Sequence, residues 1–498
     1  MENKKIWPVL QIIACVFQLL AEAFLCVVVI RLDILPYVYL SVFILILMLL
    51  LEGICLFAGV KVKGRIALWR RITTIALALI ISAGCVFGSK LVLDAQNLLD
   101  DITGDVSDAR SMYVFVGQDD SAQTIEDAKE YTFGALEKYD VEHTEQILED
   151  LTKKIGGEVN LVYYERSVQM VEAFYSGEIN ALIMNGASVS LLTEQEEYED
   201  FLSQTRVLYT HAFEEKKPAT EENDIPQQIT KDPFVVYIGG SDTRSNKLTV
   251  GRNDVNIIAV VNPTTKQILL VNTPRDYYVP NPAGKGELDK LTHCGNYGVD
   301  CSVEALEHLY GVNIDHYARI NFAGFEKLID AIGGVTVYSE SSFTANHRTP
   351  IVKGQNTLNG QGALDFSRER YNVSGGDNGR GKNQMKVLKA VIEKLTSSST
   401  LISKYADIIS SLEGMFSTNF TSEEISGLVK MQLRDMASWD IQSFAVTGKG
   451  GYAVTYSAPG MDLYVSWPNE DTVNFAKDLM KQVMDGKVLT ADDMVMPK

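Results

Sequence analysis

The sequence predicts an α/β protein in three parts, and three observations carry that expectation. Three long apolar runs fill the first ninety residues, strand-like and helix-like periods alternate from Met112 to Thr210, and Phe234 to Arg275 carries three short β-branched runs bounded by Gly, Asn, Pro or charge. At 498 residues the chain is too long for one compact unit.

The apolar runs are Ile6 to Ile30, Pro36 to Val60 and Ile72 to Phe87, and three in succession cannot be one short signal-peptide core. Lys4 and Lys5 precede the first run, and Lys61, Lys63, Arg65, Arg70 and Arg71 crowd the second connection, whereas the first has only Arg31 against Asp33. Basic residues stay on the cytoplasmic side, so the N-terminus is expected inside and everything after the third span outside. Glu22 and Glu52 lie within spans, where an acid points either to a function or to a polar contact between helices.

Charge then excludes one class of partner. Residues 91–498 hold 36 Lys+Arg against 60 Asp+Glu, net −24, which opposes binding to DNA or RNA. Of six cysteines, four sit in the spans as small apolar fillers. Cys294 and Cys301 stand outside in H-C-G-N-Y-G-V-D-C-S, a loop short enough for a disulfide in an oxidising compartment. No C-x-x-C or H-E-x-x-H spacing supports zinc, and no G-x-S-x-G elbow supports a serine hydrolase.

The domains expected are a membrane part at 1–90, an accessory α/β unit at 91–213 entered by an acidic stalk, a polar linker at 214–232 and a catalytic unit at 233–498. In the accessory unit, strands at Met112–Val116, Val159–Tyr164, Ile179–Met184 and Arg206–Thr210 alternate with helices at Val141–Ile155, Ser167–Phe174 and Ser188–Leu202, implying a largely parallel sheet.

The catalytic unit opens with three strands whose ends carry charge: Asp242 and Arg244 after the first, Arg252 and Asp254 before the second, Arg275 and Asp276 after the third. Two converging aspartates suit an octahedral divalent ion such as Mg²⁺, and arginines grip phosphate oxygens bidentately. The rim therefore fits a phosphate-rich, metal-bound ligand; the alternative is a solvated rim of surface ion pairs. Later, A-L-D-F-S-R-E-R-Y-N-V-S-G-G-D-N-G-R-G-K-N-Q sets Arg368 and Arg370 near the end of a short helix, then Asp377, Arg380 and Gln384 across a Gly-rich turn. Arg380 and Gln384 share one helical face, and Met385, Leu388, Val391, Ile392 and Leu395 continue as an apolar stripe.

G-G-S-D-T-R, G-R-N-D-V, T-P-R-D, D-K-L-T-H, I-N-F-A-G-F-E-K-L-I-D-A-I-G-G-V and A-L-D-F-S-R-E-R with G-D-N-G-R-G-K-N-Q resemble, in order, the motifs of the LytR-CpsA-Psr family over roughly Pro233 to Thr396. Three spans and an accessory unit resemble its capsule-type branch. The resemblance implies a phosphotransferase that moves a glycopolymer, here capsular polysaccharide, from an undecaprenyl-pyrophosphate carrier to peptidoglycan with Mg²⁺ or Mn²⁺. It places the chain in a bacterial cell membrane, beside membrane lipid and with capsule-assembly membrane proteins as candidate partners. Asp242 and Asp254 would hold the metal. Arg252, Arg275, Arg368 and Arg370 would grip phosphate, with Arg380, Gln384, Lys290 and Asp377 around them, and Asp276 or Asp242 would accept the hydroxyl proton. Asn253 and Val255 depart from the family's Ser-Asp-Thr, and Gly381-Lys382-Asn383-Gln384 from its Gln-rich run. The expected catalytic fold is an α/β/α sandwich around a mixed sheet, with a groove for an isoprenoid chain. A non-catalytic lipid-phosphate binder and a pyrophosphate hydrolase are the competing functions.

Overall fold

The computed structural model describes residues 3–60, 65–103, 111–137, 140–193, 196–213, 228–242 and 247–496. Most of the expected linker (214–227), the end of the stalk (104–110) and Arg244 lie outside the described residues.

Helices α1 (Asn3–Leu32), α2 (Tyr37–Gly59) and α3 (Arg65–Thr103) include three stretches long and apolar enough to cross a bilayer. Small residues let α1 and α3 approach: Ala14, Ala21, Ala78 and Cys85 are buried between the helices. Glu22 accepts a hydrogen bond from Gln18 Nε2 at 2.8 Å, so this acid makes a polar contact one turn away on its own helix.

The expected stalk is instead the last turns of α3. Its Leu99 and Ile102 are buried in the catalytic unit's core against Ile408, Ile409 and Leu412. Lys430 of that unit reaches Asp33, in the α1–α2 connection, at 2.6 Å. The α1–α2 connection, the end of α3 and the catalytic unit therefore share one side of the membrane.

In the accessory unit, strands β1 (Ser111–Gly117), β2 (Thr132–Leu136), β3 (Asn160–Tyr164), β4 (Ala181–Asn185) and β5 (Thr205–Ala212) order as β3-β2-β4-β1-β5. Helices α4 (Val141–Ile155) and α5 (Ser167–Tyr175) match the expected spans to within a residue. The sheet is mixed rather than largely parallel: β2 runs parallel to β3 and β4, while β1 is antiparallel to β4 and β5. β2 went unrecognised because T-F-G-A-L carries a glycine mid-strand. Packing requires it, since a Cβ on Gly134 would lie 2.5 Å from Ile179 and 2.9 Å from Met170. The helix expected at Ser188–Leu202 is two pieces, Gly186–Leu192 and Phe201–Gln204.

The catalytic unit is the expected sandwich. Strands β6 (Phe234–Ser241), β7 (Asn253–Asn262), β8 (Gln267–Asn272), β9 (His316–Asn321), β10 (Phe416–Thr418) and β11 (Asp440–Ala445) order as β10-β9-β6-β7-β8-β11 in a mixed sheet. Period-two alternation divides its faces. Val235, Tyr237, Ile258 and Val260 pack with the helices Val299–Tyr310 and Glu470–Met484. Phe234, Val236, Ile257 and Ala259 face Met385, Leu388 and Ile392 of the helix Asp377–Leu395, here α6. Ile229 is buried in that second core, so the fold begins before Pro233.

Leu99 is 1% exposed, so Leu99→Ala should cost about 2–5 kcal/mol through transfer and cavity terms. A lowered melting temperature of the full chain in detergent micelles is the expected readout.

Candidate active site

Antiparallel pairing of β6 with β7 and of β7 with β8 brings the end of β6, the start of β7 and the end of β8 to one rim. Asp242, Asp254 and Arg275 stand there. A second wall comes from the helix Gly360–Arg368 and the first turns of α6. Gly381 lets α6 close on the sheet: a Cβ there would meet Asn272 Nδ2, at the end of β8, at 2.3 Å.

Between the walls lies a cavity of about 320 Å³, whose lining includes Asp242, Asp254, Arg275, Arg368, Arg370, Arg380 and Gln384. Four other expected residues stand behind them. Arg252 Nη2 reaches Asp242 at 3.2 Å, Lys290 Nζ reaches Asp276 at 3.2 Å, Asp276 lies 3.7 Å from Arg275 Nε, and Asp377 pairs with Arg380 at 2.5 Å. Arg252, Asp276 and Asp377 each contact a lining group, and Lys290 holds Asp276. Asp276 is 8% exposed, lies against two cations and is not among the residues that line the cavity.

Electrostatics separate the two rim carboxylates. Burial and the neighbouring Asp254 push the Asp242 carboxyl above its ordinary value, more than Arg252 and Arg275 pull it down. Burial also opposes ionisation of Asp254, but Arg275, whose Nη1 donates to Asp254 Oδ1 at 2.7 Å, with Arg380 and Arg252, holds it below the usual range. Two hard-oxygen carboxylates that repel each other fit a divalent cation, which relieves that repulsion and takes its remaining ligands from water and phosphate. Among the described residues no group of three or more His, Cys, Asp or Glu is placed to hold a metal.

Arg368 and Arg370 are exposed to the cavity and steadied by rings, the first over Phe322 at 4.6 Å and the second over Tyr371 at 4.7 Å. Two acids that the sequence reading passed over set this wall. Asp365, fully buried, takes Arg348 Nε at 2.8 Å and Nη2 at 2.7 Å, and accepts from Thr349 and Asn346, which ties the hairpin 343–351 to the helix. Glu369 accepts the backbone N–H groups of Asn346, Tyr371 and Asn372. Asn346 and His347, both in the left-handed region, then line the cavity. An acid between Leu364 and Phe366 in an apolar helix was the available signal for Asp365.

The departures from the family pattern divide between scaffold and cavity: Val255 and Gln384 line the cavity, and Asn253 lies beneath it. Asn253 is fully buried, donating to Tyr237 and Ser302 at 3.0 and 3.1 Å and accepting from Arg319 Nε at 3.3 Å. Arg319 also holds Thr249 O at 2.9 Å, which shapes the loop delivering Arg252. Below Lys290, Asp289 accepts from the Lys290 amide at 2.8 Å and from Asn281 at 3.0 Å, and pairs with His293 at 2.6 Å.

Cys294 and Cys301 are both buried with their side chains in hydrogen-bonding contact, and the expected disulfide bond is not formed between them in this structure. They lie in the apolar core with Leu291 and Leu306, and Cys301 Sγ is satisfied as a thiol, donating to Asn281 Oδ1 at 3.3 Å.

Fold and site together define a membrane-linked α/β/α domain with a guanidinium-lined cavity suited to phosphate. The LytR_cpsA_psr family model matches residues 202–467, more than half of the chain, and the chain belongs to that family. Among curated relatives, a polyisoprenyl-teichoic acid–peptidoglycan teichoic acid transferase TagU of Enterococcus faecalis is 34% identical over 197 residues, 39% of this chain and 64% of that protein. The TagU of Bacillus cereus is 35% identical over 212 residues, 42% of this chain and 67% of that protein. The chain thus spans about two thirds of the length of these relatives. A crystal structure of B. subtilis TagV covers 52% of this chain and 99% of its own, at 26% identity and a TM-score of 0.43.

Asp242 supplies a pH test. Because its folded-state pKa is raised, ionising it costs stability; that cost is absent below the ordinary carboxylate pKa of about 4, builds above it, and is full beyond the folded value. In chelator, Asp242→Asn should melt a few degrees above the parent chain at neutral pH and level with it below about pH 4.

Proposed function

We propose that this chain transfers a glycopolymer from a polyisoprenyl-pyrophosphate carrier, undecaprenyl pyrophosphate, to a hydroxyl of peptidoglycan at the outer face of a bacterial membrane. The cavity in which Arg275, Arg368, Arg370 and Arg380 face Asp242 and Asp254 carries this reading. The TagU relatives, named as transferases from a polyisoprenyl-linked polymer to peptidoglycan, support it. We propose capsular polysaccharide as the polymer, from the three spans and the accessory unit that precede the matched region.

In the proposed reaction the acceptor hydroxyl oxygen attacks the phosphorus bonded to the glycan. The bond from that phosphorus to the bridging oxygen breaks, and polyprenyl phosphate leaves. Such transfer depends on positioning and on neutralising charge at the equatorial oxygens, which guanidiniums fixed by carboxylates provide before substrate arrives. Arg368 and Arg370 grip the outer phosphate oxygens, and Arg275 and Arg380 the inner ones. Of the two carboxylates considered for the hydroxyl proton, Asp242 faces the cavity and is the acceptor we propose; Asp276 steadies Arg275. Asp242 and Asp254 would hold Mg²⁺ or Mn²⁺, which supplies charge neutralisation to the pyrophosphate when bound. Docking of α3 on the catalytic core keeps the cavity near the bilayer that holds the carrier, which raises its effective concentration.

The test uses the full chain in micelles with a polyprenyl-pyrophosphate-linked saccharide, Mg²⁺ and soluble peptidoglycan. Arg275→Ala should lower transfer by about 10²–10³, the usual loss for one preorganised donor. Release of polyprenyl phosphate without a new phosphodiester on the acceptor would replace the transferase with a hydrolase, and tight carrier binding without turnover would replace it with a regulator. Separately, Mg²⁺ should raise the melting temperature of the parent chain and leave Asp242→Asn and Asp254→Ala unmoved. An equal rise in all three would remove the metal assignment.

A further inference from the structure

The accessory unit meets the catalytic unit across a second, larger cleft of about 630 Å³, within the size range of ligand sites. Tyr113 and His143 face it from the accessory side, and Asn296, Tyr297 and Tyr456 from the catalytic side. Its aromatic groups cluster: the His143 ring lies 4.3 Å from that of Phe213, and Tyr297 lies 6.2 Å from Tyr456. Asn296 is 5% exposed, and both its amide nitrogen and its amide oxygen are buried without a hydrogen-bond partner. Leaving both ends of a buried amide unpaired is costly, so the free protein holds a donor and an acceptor in reserve at the cleft wall.

The charges there are the opposite of those in the phosphate cavity. Asp140, Glu142 and Glu287 outnumber Lys285, and among the described residues no arginine lines the cleft. Asp140 is already engaged by the amide of Asn185 at 2.7 Å. An anionic polymer is repelled from such a wall. Ring faces, a bifunctional amide and tyrosine hydroxyls match an uncharged polyhydroxy chain.

Placement ties the cleft to the reaction. Val250 lines it, and Arg252 follows two residues on, within about 7 Å of chain. Tyr297 OH lies 3.1 Å from Ser457 Oγ, which donates to Asp289, the acid that holds the Lys290 amide. A chain lying in the cleft is therefore separated from the phosphate rim by one loop.

We infer that this interdomain cleft binds an uncharged glycan segment, a run of hexose or N-acetylhexosamine units, and so gives the accessory unit its role. The inference rests on the proposed transfer only for the source of that segment, which is either the polymer delivered or the peptidoglycan strand that receives it.

Calorimetric titration of the full chain in micelles would use two probes: N-acetylglucosamine oligomers, the uncharged sugar of the peptidoglycan strand, and delipidated, dephosphorylated wall polysaccharide. One should bind, and which one identifies the source. Asn296→Ala should weaken that binding at least tenfold. Val141→Trp, at an exposed position on the cleft wall, should do the same without disturbing the core, and decides the matter if Asn296→Ala fails to fold. Arg275→Ala should leave binding intact while transfer is lost. Failure of both probes to bind, or binding that survives Val141→Trp, overturns the inference. Glycan binding in a chain that transfers nothing would leave it standing and remove the proposed reaction instead.

Discussion

Asp254 and Arg275 hold each other in a charge state that neither the cavity nor the sheet would otherwise tolerate. A carboxylate set this deep tends to protonate, and a guanidinium beside Arg380 is repelled; the 2.7 Å contact between them offsets both effects. The same device repeats around the rim, with Arg252 on Asp242 and Arg380 on Asp377. Each of these arginines is thereby fixed in place by a carboxylate. Arg368 and Arg370 are held by aromatic rings instead, and Arg370 also donates from Nη2 to the Tyr371 hydroxyl.

That arrangement needs a stiff support, and the buried polar residues under the rim supply it. Asn253, Tyr237, Ser302 and Arg319 interlock beneath the loop that carries Arg252, and Asp289 with Asn281, His293 and Ser457 interlocks beneath Lys290. Buried networks of this kind are stabilising only when their members are satisfied, and satisfied ones leave the backbone little freedom. Among the described residues, Asn296 has both of its amide atoms buried without a partner, and it sits where the accessory unit leaves a cleft.

The membrane helices belong to the same mechanical unit. Because α3 ends inside the catalytic core, the distance from bilayer to cavity is set by packing and not by a loose tether. The proposed reaction on a lipid-linked carrier would gain from that constraint.

The sequence by itself determined the three apolar spans, the period-two strands of the catalytic sheet, the apolar stripe of α6 and the identity of the charged residues at the strand ends. These are local signals, readable within a few residues of the chain. Only the tertiary structure decided which of those charges meet: Asp242, Asp254 and four arginines line the cavity, while Arg252, Lys290, Asp276 and Asp377 stand behind it. It also decided that Asp365 and Glu369 build the far wall, that β2 lies between β3 and β4 in a mixed accessory sheet, and that Cys294 and Cys301 are buried beside each other. The reason is physical: strand register and side-chain partnership are set by packing between segments tens to hundreds of residues apart, for which local periodicity carries no signal.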